Sequence, residues 1–301
     1  MSAPPPSDRP ILGIALMAGF CVLAPLGDSL AKLLGPHVPL LLLLIVRFGF
    51  QAVILTPVSL PAMRRAPARV WRIALARTVL HIGGIGCMFT ALRFLPLADA
   101  ISIAFVMPFL LLLLGWLFLD EEVGTRRLGA CLVGFAGTLL VLEPAFDSVG
   151  LPALLPLGVA VFFAGFMLVT RMIAREVGAL ALQAMNGWMA LALLLPLLAF
   201  GTDWPAPEGG TLMLLAAMGV LGTLAHLLMT WSLRFAPAAT LAPMQYIEIP
   251  VATFFGLVIF GDLPGPQASL GIGLICVAGL YVIWRERQVA RRLTTPSAAP
   301  P

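Results

Sequence analysis

Apolar residues gather along the chain into runs of roughly 20, each closed by a short cluster of Pro, Gly or charge. The runs fall near 11–33, 39–60, 70–92, 97–119, 126–142, 151–173, 181–200, 211–233, 240–260 and 268–284. About 20 apolar residues in a helix span the ~30 Å of hydrocarbon in a bilayer. The pattern therefore predicts an all-α membrane protein with ten transmembrane helices, punctuated at places such as Leu60-Pro61 before Arg64-Arg65.

Composition removes the soluble alternatives. The chain is 60% hydrophobic and 11% charged, which leaves no stretch polar enough to solvate a separate domain. The Pro-rich segment 1–10 reads as a disordered cytoplasmic tail and 285–301 as a basic cytoplasmic tail. The apolar run after residue 10 has no small-residue cleavage site and is expected to be a retained first helix.

All 18 basic residues but Lys32 are arginine, and their placement points to topology rather than nucleic acid. With the N-terminus in the cytoplasm, alternate connections hold Arg64, Arg65, Arg69 and Arg72, then Arg126 and Arg127, Arg171 and Arg175, and Arg234. The opposite connections hold Glu143, Asp147, Asp203, Glu208 and Asp262, with Arg93 the exception. The positive-inside rule then sets both termini in the cytoplasm and an external connector at 143–150, as expected of a multi-pass protein of the bacterial inner membrane.

Punctuation residues recur halfway along. Ala91-Leu92-Arg93-Phe94-Leu95-Pro96 returns as Ser232-Leu233-Arg234-Phe235-Ala236-Pro237, Pro108 as Pro250, Phe118 and Asp120 as Phe260 and Asp262, Leu128-Gly129 as Leu270-Gly271, and Gly137 as Gly279. Five spans separate the copies, so they enter the membrane from opposite sides. The expected architecture is two inverted five-helix repeats, 11–142 and 151–284.

An ionisable group in hydrocarbon costs a few kcal/mol or more and needs a partner or a wet cavity. Asp28 and Lys32 are spaced to pair along the first helix, Arg47 lies too deep in the second to snorkel, and Arg77 and His81 share a face of the third. His226 in the eighth helix reads as a packing residue. Pro108 and Pro250 sit mid-span in the fourth and ninth helices, where each removes a backbone hydrogen bond, and paired interruptions of this kind point to a central site. Gln245, Tyr246 and Glu248 lie within two turns of Pro250. The expectation is that Glu248, Tyr246 and His81 line the cavity, with Arg47 or Lys32 meeting an anionic part of a substrate.

Enzyme chemistry finds no support. Gly27-Asp28-Ser29-Leu30 spells a hydrolase signature, but that serine needs a strand-to-helix turn with His and Asp partners, and here it falls mid-helix. No HExxH, phosphate loop or dinucleotide fingerprint occurs. Cys21, Cys87, Cys131 and Cys276 lie inside apolar runs without CxxC spacing, so no metal, cofactor or disulfide is expected. The small-residue faces of the fifth helix, at Gly129, Ala130 and Gly134, and of the tenth, at Gly271, Gly273 and Gly279, suit close packing or a homodimer.

These residues together resemble the EamA family of the drug/metabolite transporter superfamily. The likeness rests on Asp28-x3-Lys32, Arg47-Phe48, Arg77, Leu92 to Ala100, Pro108, Asp120-Glu121, Pro243-Met244-Gln245-Tyr246, Phe260-Gly261-Asp262, Pro264 and Gly279-Leu280-Tyr281. Around Asp28, Lys32 and Arg47 the pattern is similar to S-adenosylmethionine carriers, and around Gln245-Tyr246 to bacterial riboflavin carriers. The resemblance implies ten helices, a cavity opening alternately to either side, and a secondary transporter of a small organic metabolite. The rival from another class is a scaffold or sensor whose intramembrane charges are purely structural.

Overall fold

The computed structural model describes residues 10–107, 109–110, 125–173, 176–200, 208–235 and 244–294. These are helical almost throughout. In chain order they form α1 (Pro10–Leu34), α2 (Leu40–Arg65), α3 (Ala68–Ala91), α4 (Leu97–Ala104), α5 (Thr125–Val149), α6 (Leu155–Ile173), α7 (Ala179–Leu194), α8 (Gly209–Phe235), α9 (Glu248–Phe255) and α10 (Pro266–Thr294). Among the described residues seven helices are long and apolar enough to cross a membrane, and two apolar stretches, Glu248–Phe260 and Pro266–Tyr281, are shorter.

Proline sets several helix starts. Pro39, Pro67 and Pro96 stand just before α2, α3 and α4 with φ of −56°, −70° and −55°, and Pro266 opens α10. At a helix N-terminus the missing N–H costs nothing, and the fixed φ is already helical.

Two boundaries differ from the sequence expectation. The connector expected at 143–150 is the end of α5, which runs through Pro144 to Val149. The chain turns at Gly150, whose φ of 69° favours glycine, and re-enters through a 3₁₀ turn, Leu151–Leu154. Likewise α10 continues through Arg285 and Arg287 to Thr294, so the basic segment expected as a tail begins as helix.

The helices pack in a regular set of pairs: α1 on α8, α3 on α6, α2 on α7, α5 on α10, and α4 on α9. Exchanging each helix with the one five places on maps this set onto itself. Two of the self-paired contacts are backbone-close because glycine permits it. A Cβ on Gly187 of α7 would lie 2.7 Å from the Ala52 nitrogen of α2, and one on Gly271 of α10 would lie 2.5 Å from the Gly137 carbonyl oxygen of α5. The glycine faces read as a possible dimer surface are therefore partly used inside the chain, while Gly129 and Gly273 face open space.

Large apolar side chains cover the outside: Val58 is 71% exposed, Val53 65% and Leu132 63%. A surface of that kind belongs against lipid rather than water.

Candidate binding cavity

Two helix breaks build the site. A proline's ring collides with the carbonyl four residues earlier, which for positions 108 and 250 means Ala104 and Tyr246. α4 stops at Ala104, and Phe105 and Val106 form a turn; Tyr246 and Ile247 form a turn before α9 starts at Glu248. Both breaks face one central cavity enclosing about 930 Å³ of space, part of it open to solvent.

The wall is mostly apolar, with Phe89, Phe105, Phe163, Met88, Met167 and Met218 among its residues. Aromatic rings give flat contact surfaces, and methionine adapts to irregular shapes. The polar lining is small: Asp28 from α1, Arg47 from α2, His226 from α8, and Gln245 and Glu248 at the α9 break.

Arg47 is 2% exposed and held on several sides. Its Nη1 donates to Gln51 Oε1 at 3.2 Å, and its Nη2 donates to the Gly222 carbonyl at 2.7 Å and lies 2.9 Å from His226 Nδ1. Gly222 supplies the slot, since a Cβ there would meet Arg47 Nε at 2.1 Å. His226 Nδ1 also lies 3.1 Å from the Gly222 carbonyl, and its Nε2 has no partner among the described residues. Asp28 is within electrostatic reach of both Arg47 and Glu248.

Behind this wall lies a polar network. Gln51 Nε2 donates to the Gln183 carbonyl at 2.7 Å, and Gln183 Nε2 donates to the His226 carbonyl at 3.2 Å and to Thr230 Oγ1 at 3.1 Å. Arg77, fully buried, donates to Thr170 Oγ1 at 2.8 Å and Asn186 Oδ1 at 3.1 Å, and stacks 4.2 Å over the Phe166 ring. Because Asn186 Oδ1 takes the arginine's hydrogen, its Nδ2 donates to His81 Nδ1 at 3.0 Å. His81 packs between Phe48, Phe163 and Phe166 with its ring 4.8 Å from that of His226.

The ten residues expected at the site therefore separate. Asp28, Arg47, Gln245 and Glu248 line the cavity. Arg77 and His81 stand in the network behind it. Lys32 does not pair with Asp28. Its Nζ bonds Asp262 Oδ2 at 2.9 Å and sits 4.6 Å over the Phe260 ring, because a side chain at the last turn of α1 reaches the end of the α9 segment more readily than back along its own helix. Tyr246 is buried against Phe105 and fills the space over Gly279, outside the cavity lining. Pro250 is exposed on the outer face of the bundle, and Pro108 lies outside the described residues.

Sequence reading missed Gln183 and Asn186, although two amides three apart in an apolar run were a signal for a buried polar contact. His226 was read as packing, and its place in the cavity depends on α1, α2 and α8 meeting.

Comparison with known proteins agrees with this geometry. The model of the EamA-like transporter family matches residues 11–143 and 150–285. A riboflavin transporter of Rhizobium johnstonii is 31% identical over 81% of this chain and 80% of its own length. One from Brucella anthropi is 28% identical over 80% and 88%. An S-adenosylmethionine uptake transporter of Rickettsia felis is 23% identical over 88% and 90%. A solved crystal structure superposes with a TM-score of 0.65 over 92% of this chain and 98% of its own at 20% identity, a likeness of fold.

Proposed function

The chain belongs to the EamA-like transporter family, and on that premise we propose that it is a secondary transporter carrying a small, largely aromatic metabolite across the bacterial inner membrane by alternating access. Riboflavin is the first candidate. The observation that carries the reading is a cavity with an apolar, aromatic wall and a compact polar lining, bounded by the breaks in α4 and α9. The exchange symmetry of the helix pairs supports two inverted five-helix repeats, 11–142 and 151–284, with ten spans and both termini cytoplasmic. Relatives that carry riboflavin and S-adenosylmethionine support an organic substrate with a ring system.

Glu248 is the coupling group in this reading. It stands on the α9 break beside the cavity, where it can exchange a proton as access alternates. Reconstituted vesicles test both parts. Riboflavin, with S-adenosylmethionine in parallel, should accumulate under an imposed pH gradient. Glu248→Gln should abolish that accumulation while sparing exchange of labelled against unlabelled substrate at saturating concentration. A scaffold or sensor would move neither solute under any gradient. Unchanged gradient-driven uptake in the variant would remove Glu248 from coupling.

A further inference from the structure

The sequence led to an arginine or lysine meeting an anionic part of the substrate, and the cavity has the opposite character. Lys32 is bound to Asp262 away from the lining. Arg47 faces the cavity, but its terminal nitrogens are directed at Gln51, the Gly222 carbonyl and His226. Turning one of them to a ligand would leave buried acceptors unpaired, which costs about 1–3 kcal/mol each.

The two carboxyls are differently placed. Asp28 of α1 and Glu248 of α9 belong to the two matched segments, 11–143 and 150–285, and face the same cavity. They are near enough to repel. Among the described residues neither accepts a hydrogen bond from another side chain, and Arg47 is the one cation in the cavity lining. Ionised together they leave one negative charge uncompensated in a low-dielectric space, where a cation or a strong donor is worth far more than in water. A second observation points to a ligand at the same place. His226 is 7% exposed and lines the cavity, and its Nε2 is unpartnered among the described residues.

Building on the transporter reading above, we propose that Asp28 and Glu248 form a two-carboxylate subsite that receives a hydrogen-bond-donating end of the substrate, a protonated amine or a ring N–H, while the Phe and Met wall takes its aromatic body. The cavity selects against anionic ends. Arg47, within electrostatic reach of Asp28, limits the repulsion between the two acids.

Tryptamine and indole-3-acetate test this, since they share an aromatic body and differ in carrying an amine or a carboxylate. In titrations of purified protein in lipid nanodiscs, tryptamine should bind at least about tenfold more tightly, the loss expected for one charge-assisted hydrogen bond. Asp28→Asn and Glu248→Gln should each weaken tryptamine about tenfold and leave indole-3-acetate unchanged or tighter. Equal or tighter binding of indole-3-acetate to the unmodified protein, or no binding of tryptamine, overturns the proposal without reliance on the folding of any variant. Vesicle uptake separates the two claims. Tryptamine selectivity without transport of any metabolite would sink the transporter reading alone, and riboflavin transport without that selectivity would sink this one alone.

Discussion

Gly222→Ala is the smallest change that acts on the centre of the cavity. The added methyl would lie 2.1 Å from Arg47 Nε, 2.5 Å from Cζ and 2.8 Å from Cδ, so the guanidinium must move by more than 1 Å to reach ordinary contact near 3.4 Å. A shift of that size breaks the bonds to the Gly222 carbonyl and to His226, now 2.7 and 2.9 Å. Two hydrogen bonds from a charged donor contribute about 3–6 kcal/mol together. Alanine returns about 1 kcal/mol in helix propensity, and water entering the cavity replaces part of the rest, so the expected net loss is about 2–4 kcal/mol. Cys21 is buried and Cys87 and Cys276 half-buried, so thermal unfolding in detergent can be followed by reaction of a thiol dye as these cysteines become exposed. Gly49→Ala on α2 is the control, since its Cβ would meet nothing closer than Leu191 Cδ2 at 3.8 Å. It should be neutral or stabilising. If Gly222→Ala unfolds at the wild-type temperature and keeps full substrate uptake, Arg47 is not confined as described and the account of the cavity fails.

The remaining predictions concern other parts of the bundle. Gly271→Ala places a methyl 2.5 Å from the backbone oxygen of Gly137, which cannot yield without separating α5 from α10, and should cost about 2–3 kcal/mol; Gly273→Ala, facing open space, should not, as read by the same thermal assay. A double-mutant cycle with Lys32→Gln and Asp262→Asn should give a coupling of about 0.5–1 kcal/mol, small because the Asp262 side chain is 39% exposed; zero coupling would mean that the pair does not form. In a cysteine-depleted background, an impermeant thiol reagent added to intact cells should label a cysteine at the exposed position of Asp147 but not one at that of Arg65. The opposite result reverses the proposed topology.

Helix content was legible because apolar run length is a property of neighbouring residues, and among the described residues seven helices are long and apolar enough to cross a membrane, with shorter apolar helices beside them. The breaks near 104 and 246 were legible for the same reason, since proline acts on its own backbone. Partnerships were not. Asp28 and Lys32 satisfy the spacing rule for a pair along one helix, yet Lys32 bonds Asp262, 230 residues away. Spacing reports which side chains share a face, and the partner comes from whichever helix covers that face. Arg77 and His81 were correctly grouped as one polar face of the third helix, but that face turns to Thr170 and Asn186 and away from the cavity. The helix α5 extended past its expected end because Glu143 and Asp147, read as loop residues for their charge, are tolerated on an exposed helix terminus.

The distribution of hydrogen bonds also divides the bundle into firm and yielding parts. Arg47 and Gln51 on α2, Gln183 on α7, and His226 and Thr230 on α8 are joined in one set of hydrogen bonds, Arg77, Thr78 and His81 on α3, Thr170 on α6 and Asn186 on α7 in another, and a 3.5 Å contact from Arg77 Nη2 to Gln183 Oε1 connects the two into one network. Such a network, buried in a low-dielectric interior, must be broken in several places at once if any of its helices is to slide. Among the described residues α4 makes no side-chain hydrogen bond to another helix: Ser102 bonds the Ala98 carbonyl of its own helix, and Thr253 of α9 bonds its own Ile249 carbonyl. The two helices' own side chains touch the rest mainly through apolar residues such as Ile101, Phe105, Ile249 and Ala252, contacts that can be exchanged without stranding a donor or acceptor, while the polar ties to α1 lie at the two ends of the α9 segment, at Met244 and Asp262. They also carry the backbone breaks that let a short segment pivot. On the alternating-access reading proposed above, movement of α4 and α9 against the α2, α3, α7 and α8 block is the least costly route, and Glu248, at the first turn of α9, sits on the moving segment.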